Sequence, residues 1–141
     1  MTTPAEEVAI VNRRRSVTES VQLQPVASAQ DILALQAQLP DVYVEPALVE
    51  YIVGIVNETR RWDGVLTGAS PRGSIALMQA SCALAMLRGR NYVLPDDIKA
   101  MAMHVLPHRM IMKNRSGAAG TTARDVVREI LDTLFVPKAK G

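Results

Sequence analysis

Apolar positions recur at helical spacing in six stretches of the chain, and the breaks between them carry proline, glycine or a capping residue. The most apolar stretch covers residues 70–89, where Ile75, Leu77, Met78, Cys82, Leu84, Met86 and Leu87 leave almost no polar face. Ser70 suits the N-cap, Pro71 the first helical position, and Gly89 the left-handed residue after the last turn. A helix of this kind is expected at the centre of the fold, with Ala76, Ala80, Ala83 and Ala85 letting neighbours approach closely.

Five further helices follow from the same reasoning. Thr3 and Glu6 form a capping-box pattern around Pro4, opening a short helix whose stripe, Val8 and Val11 with Ile10, is too narrow to anchor a core. The chain starts almost on top of that cap, which reads as a cut end. Residues 16–27 hold Pro25 and no helical period, so they read as an extended connector. Ser28 and Asp31 make a second capping box before Ile32, Leu33, Leu35 and Leu39, with Pro40 as the stop. Pro46 begins the second core helix, which carries Leu48, Val49, Tyr51, Ile52, Val53, Ile55 and Val56 as far as Arg60 or Arg61, with Gly54 inside it either under a close neighbour or merely tolerated.

Residues 62–69 read as a glycine-rich loop leading into Ser70. Pro95 opens a helix with Asp96 and Asp97 in its first turn, and Pro107 stops its continuation. A short strand is placed near 110–112 and a loop at 113–121. The last helix runs from Ala123 to about Phe135, capped by Thr122 with Asp125, on a stripe of Val126, Val127, Ile130, Leu131 and Leu134. The expected fold is all-α, a small helical bundle with short extended linkers.

Composition narrows this picture. With 48% hydrophobic but only 4% aromatic residues, the core of this 141-residue chain is built from Leu, Ile, Val, Met and Ala, a palette that favours helices. Sixteen basic and 14 acidic residues leave +2, far from the asymmetry of a dedicated nucleic-acid binder. Cys82 is the single cysteine and is expected to pack in the core, which excludes an intrachain disulfide and suits a reducing compartment. No apolar run approaches the roughly 20 residues of a membrane span, and Glu6 and Glu7 interrupt any signal pattern, so a soluble, cytoplasmic protein is expected.

Chemistry concentrates at one place. Arg72 puts a fixed positive charge in the first turn of the central helix, where the helix dipole already presents positive partial charge. A guanidinium beside unpaired helix N–H groups suits an anion such as phosphate; the alternatives are an ion pair with a carboxylate such as Asp63, or a side chain in water. Other candidates are weaker. His104 and His108 share the spacing of a zinc-binding helix, but Pro107 interrupts the helix and no Glu follows His104, so local hydrogen bonding is the expected role and no metal site is assigned. Arg13, Arg14 and Arg15, and the C-terminal Lys113, Arg115, Arg124, Arg128, Lys138 and Lys140, could meet nucleic acid or an acidic partner, or could form solvated helix ends and faces.

The run Gly68-Ala-Ser-Pro-Arg-Gly73, followed by the apolar helix, Leu87-Arg-Gly-Arg-Asn-Tyr-Val93, Pro95-Asp-Asp-Ile98 and Val105-Leu-Pro-His-Arg109, resembles the C-terminal part of a MoxR-family AAA+ ATPase. Leu23-Gln-Pro-Val26, Tyr43-Val44 and Val126-Val-Arg-Glu-Ile-Leu131 extend the resemblance over nearly the whole chain. It implies a helical lid domain at 28–141, with residues 1–27 as the end of the nucleotide-binding core and a hinge-like linker. It further implies a sensor-2 role for Arg72 toward the terminal phosphate of ATP, with Ser70 and Gly73 beside it in the nucleotide-binding turn. The implied cofactor is ATP with magnesium. Implied partners are the protein's own core domain, neighbouring AAA+ subunits of a hexamer in a remodelling chaperone, and a von Willebrand factor A-type domain protein, with no membrane or nucleic acid. Gly73 stands where Ala or Ser is common in the family, and Leu94 where Thr usually caps the helix at Pro95.

No Gly-x-x-x-x-Gly-Lys-Ser/Thr and no apolar strand ending in Asp-Glu occurs in the chain. The intact parent is therefore expected to be the ATP hydrolase, and this chain alone to be inactive and to bind nucleotide only weakly. The competing reading is a stand-alone helical module that binds nucleic acid or an acidic protein through its basic ends.

Overall fold

The computed structural model describes residues 3–16, 24–113 and 120–137, without the side chains of Ile10 and residues 13–16. Six α-helices are formed among the described residues: α1 (Pro4–Ser16), α2 (Ala29–Ala37), α3 (Pro46–Arg61), α4 (Pro71–Leu87), α5 (Pro95–Val105) and α6 (Ala123–Thr133). Two short strands, β1 (Val65–Thr67) and β2 (Ile111–Met112), complete the fold with 3-10 turns at Leu39–Asp41 and Pro107–Arg109. The all-α expectation holds. The chain divides into two compact units, residues 1–33 and 34–141.

In the first unit, α1 begins as its capping box dictates: the Thr3 N–H donates to the Glu6 carboxylate at 2.7 Å, and the Glu6 N–H donates back to Thr3 Oγ1 at 3.4 Å. Ser28 and Asp31 close the second box at the start of α2, with the Ser28 N–H to Asp31 at 2.7 Å. The apolar stripe of α2 does not behave as an ordinary core stripe. Ile32, Leu33 and Leu35 are all exposed and no residue of α2 is buried, whereas Leu39 of the same stripe, in the 3-10 turn that follows, is half-buried against the core.

The second unit holds the core. Ile55 and Val56 of α3, Leu77 of α4, Ile98 and Ala102 of α5, Leu106, and Val126, Val127 and Ile130 of α6 are essentially inaccessible to solvent. Fully burying each Ile, Leu or Val side chain contributes about 1.5–3 kcal/mol relative to exposure. The central helix is less enclosed than its composition suggests. Its inward face is Gly73, Leu77, Ser81 and Ala85, four residues spaced by one turn and mostly small, whereas Ile75 and Leu87 are 54% and 80% exposed. Small residues let α4 approach its neighbours closely, so the face that packs is set by size rather than by hydrophobicity alone. Ser81 fits this face because its hydroxyl donates to the Leu77 carbonyl at 2.8 Å. Cys82 is buried beside it, and burial pushes its thiol pKa up. Gly54 on α3 is merely tolerated: a Cβ there would meet only Leu134, at an ordinary 3.4 Å.

The glycine-rich segment after α3 is not a plain loop. It contains β1, which pairs antiparallel with β2 through Val65 opposite Met112 and Thr67 opposite Ile111, with an irregularity between them. Gly64, at φ +98°, makes the turn into β1, and its carbonyl accepts from the Lys113 N–H at 2.8 Å. The short strand expected near 110–112 forms as β2 at Ile111–Met112; a three-residue strand between Gly64 and Gly68 carries no alternation long enough to read. A second tie joins the start of α3 to the start of α5, with the Tyr43 N–H on the Asn91 carbonyl at 2.8 Å and the Val93 N–H on the Tyr43 carbonyl at 3.0 Å.

Candidate functional site

The first turn of α4 is built on the last turn of α3. Thr59 lies in the buried stripe of α3, and its hydroxyl donates to the Val56 carbonyl at 2.7 Å and accepts the Ala69 N–H at 3.0 Å. The Ala69 carbonyl accepts from Arg60 Nε at 2.7 Å, while Arg60 Nη1 donates to Asn57 Oδ1 at 3.0 Å. Gly68 lets the two segments touch, since a Cβ there would sit 2.6 Å from the Arg60 backbone N and Cα. Both backbone groups of buried Ala69 are therefore satisfied by α3.

From this clamp the chain turns at Ser70 into α4. Ser70 occupies the N-cap with extended φ and ψ, but its side chain accepts no cap bond; the Gly73 N–H goes to the Ser70 carbonyl at 2.7 Å instead. Arg72, one position after Pro71, is exposed, and its guanidinium makes no hydrogen bond or ion pair among the described residues. The pairing with Asp63 weighed from the sequence does not form. Asp63 binds Lys113 Nζ at 3.3 Å. Gly73 is buried, where a Cβ would lie 3.2 Å from that of Ala69 and 3.7 and 3.9 Å from Leu106 and Arg109. Glycine at this position lets α4 sit against the 3-10 turn at Pro107–Arg109.

At the other end of α4 the arginines are consumed. Asp97, fully buried in the first turn of α5, accepts both terminal nitrogens of Arg90 and one of Arg88, each at 2.8 Å, and the Leu94 N–H at 2.9 Å. The last of these bonds starts α5 despite the Leu at its cap position, because half of a capping box is supplied by Asp97 alone. Burial raises the Asp97 pKa, but the hydrogen bonds from Arg90 and Leu94 and the two positive charges outweigh it and hold the carboxyl below the ordinary range. A cleft of about 450 Å3 lined by Tyr43, Leu48, Tyr92, Leu94 and Pro137 also lies at this end. The 17 residues of α4 span about 25 Å, which separates the cleft from the turn that carries Arg72.

The remaining candidates are not drawn together with Arg72. His104 and His108 are exposed on either side of Pro107, and no group of three potential ligands forms a metal site among the described residues. Arg128 pairs with Asp125 at 3.0 Å. The side chains of Arg13, Arg14 and Arg15, the residues Arg115, Lys138 and Lys140, and most of the connector at 17–23 lie outside the described residues.

Comparison with known families matches residues 57–130 to the AAA lid domain. This chain belongs to that family. The matched region includes the α3–α4 clamp, Arg72 and the Asp97 cluster. The chain is 40% identical to YeaC of Bacillus subtilis over 94% of its own length and 33% identical to chaperone MoxR1 of Mycobacterium tuberculosis over 98%. It spans 41% and 38% of those two relatives. The crystal structure of a "putative ATPase" from Cytophaga hutchinsonii superposes with a TM-score of 0.80 and 28% identity, over 98% of this protein and 44% of that chain. No helix among the described residues is long and apolar enough to cross a membrane.

Sequence reasoning located Arg72 but missed Thr59 and Arg60. A signal was present: Thr59 is a polar residue at the end of a buried stripe that runs through Leu48, Ile52, Ile55 and Val56, and such a residue needs a hydrogen-bond partner.

Proposed function

We propose that this lid closes over ATP held by a nucleotide-binding core domain and that Arg72 acts as its sensor-2 arginine, reaching the terminal phosphate. The observation that carries this reading is Arg72 itself, an exposed guanidinium without a partner among the described residues, on a turn clamped to α3. A forked cation beside a helix N-terminus fits a phosphate group, and Arg provides a geometry that Lys would not reproduce. The residues present fit only the lid side of a nucleotide site. ATP, with its magnesium, would take its cradle and metal ligands from the core, and Ser70 and the Gly73 backbone would shape the turn that faces it.

In this reading residues 1–27 belong to the end of the core and its linker, and residues 28–141 form the lid. Closing and opening of the lid would couple nucleotide state to neighbouring subunits of a cytoplasmic AAA+ hexamer with chaperone-like remodelling activity, with a von Willebrand factor A-type protein as a candidate partner. The relative named chaperone MoxR1 supports that direction. In the protein with its core attached, Arg72→Ala should lower ATP hydrolysis on the order of 100-fold, the scale of losing one charge-stabilising contact. Undiminished hydrolysis by that variant overturns the reading.

A further inference from the structure

We propose that Thr59 is a positioning residue for Arg72, acting through Ala69; the inference rests on the sensor-2 reading above. The Thr59 hydroxyl has one proton, and that proton goes to the Val56 carbonyl, so a lone pair is left to face the Ala69 N–H. Arg60 fixes the opposite side of the same peptide by donating to the Ala69 carbonyl, and Asn57 holds the Arg60 guanidinium in turn. Only Ser70 and Pro71, whose φ is locked, separate this double clamp on Ala69 from Arg72. The direction in which α4 starts is therefore set by the last turn of α3.

Removing the hydroxyl leaves a buried N–H at Ala69 without a partner, and the segment 68–70 gains freedom where Arg72 most needs to be held. The body of α4 is anchored separately by Leu77 and Ala85, both fully buried, so a change at Thr59 acts on the first turn rather than on the fold. A side chain that must meet one phosphate oxygen is sensitive to such loosening, since a misplacement of about 1 Å can cost on the order of 100-fold in rate.

The test measures ATP and ADP affinities of the core-attached protein by calorimetry, because a contact to the terminal phosphate favours ATP alone. Thr59→Val should lower the ATP-over-ADP affinity ratio roughly tenfold, the equivalent of one hydrogen bond, and Thr59→Ser should restore it. Combining Thr59→Val with Arg72→Ala should lower the ratio no further than Arg72→Ala does alone, as expected of residues that act as a unit. A ratio unchanged by Thr59→Val but lost in Arg72→Ala overturns the positioning role and leaves Arg72 standing. A ratio unchanged in Arg72→Ala removes the sensor-2 reading and this inference with it. Additive losses in the double variant assign Thr59 a separate effect and overturn the inference. Should Thr59→Val fail to fold, Arg60→Met removes the other half of the clamp from an exposed position; the same loss of ratio is expected, and an unchanged ratio counts against the proposal.

Discussion

The two ends of α4 carry the same kind of side chain in opposite circumstances. At its C-terminal end Arg88 and Arg90 converge on Asp97, a carboxylate with no solvent exposure, and Arg90 keeps only 18% of its side chain in water. At its N-terminal end Arg72 is exposed and meets no carboxylate among the described residues. Helix-dipole chemistry favours the first arrangement and opposes the second, since cations belong near a helix C-terminus. Under the proposed sensor-2 role the contrast is between an arginine saturated by groups of its own fold and one left open at its tip on a turn whose preceding peptide is clamped by α3.

The largest effect on stability should come from breaking the saturated end. Asp97→Ala leaves two guanidinium groups and the Leu94 N–H without their acceptor, and should cost about 3 kcal/mol, read as a lower midpoint in urea unfolding. A loss near zero would mean that the cluster is no tighter than a surface ion pair and would remove the contrast.

Acid sharpens the same point. The Asp97 pKa is lower in the folded state than in the unfolded chain, so the folded state binds fewer protons. Its contribution is complete above the unfolded value of about 4 and is lost as pH falls through the folded value. The stability gap between the wild-type protein and Asp97→Asn should therefore narrow as pH drops below about 4. Glu6, Asp31 and Asp125, lowered by their N-cap hydrogen bonds, share the sign and are present in both proteins, so the difference isolates Asp97. The smallest effect belongs to the open end. Arg72→Ala should change the stability of the lid by less than about 0.5 kcal/mol in the same urea experiment, as for an exposed side chain without partners. A destabilisation comparable to that of Asp97→Ala would place Arg72 among the structural arginines.

Much of the fold is legible in residue order because its signals are local. The boxes at Thr3/Glu6, Ser28/Asp31 and Thr122/Asp125, and the prolines at 4, 46, 71 and 95, mark helix starts through bonds and torsions spanning three or four residues. Gly89 ends α4 at φ +72° for the same local reason. The motif around Arg72 is also contiguous, so a single stretch points to phosphate chemistry. Which apolar stripes are buried is less local. The stripe of α2 is exposed while the small-residue face of α4 is packed, because burial depends on what stands opposite a face and how close it can come.

The sequence by itself therefore determined the helices, the capping boxes at Thr3, Ser28 and Thr122, and an arginine at the start of α4 that defies the dipole. Only the tertiary structure decided that Arg72 has no carboxylate neighbour among the described residues, that Asp97 takes up Arg88 and Arg90, and that Thr59 and Arg60 bind the Ala69 peptide. These are relations between side chains brought together by packing. Their energies depend on distance and burial, which no spacing along the chain encodes.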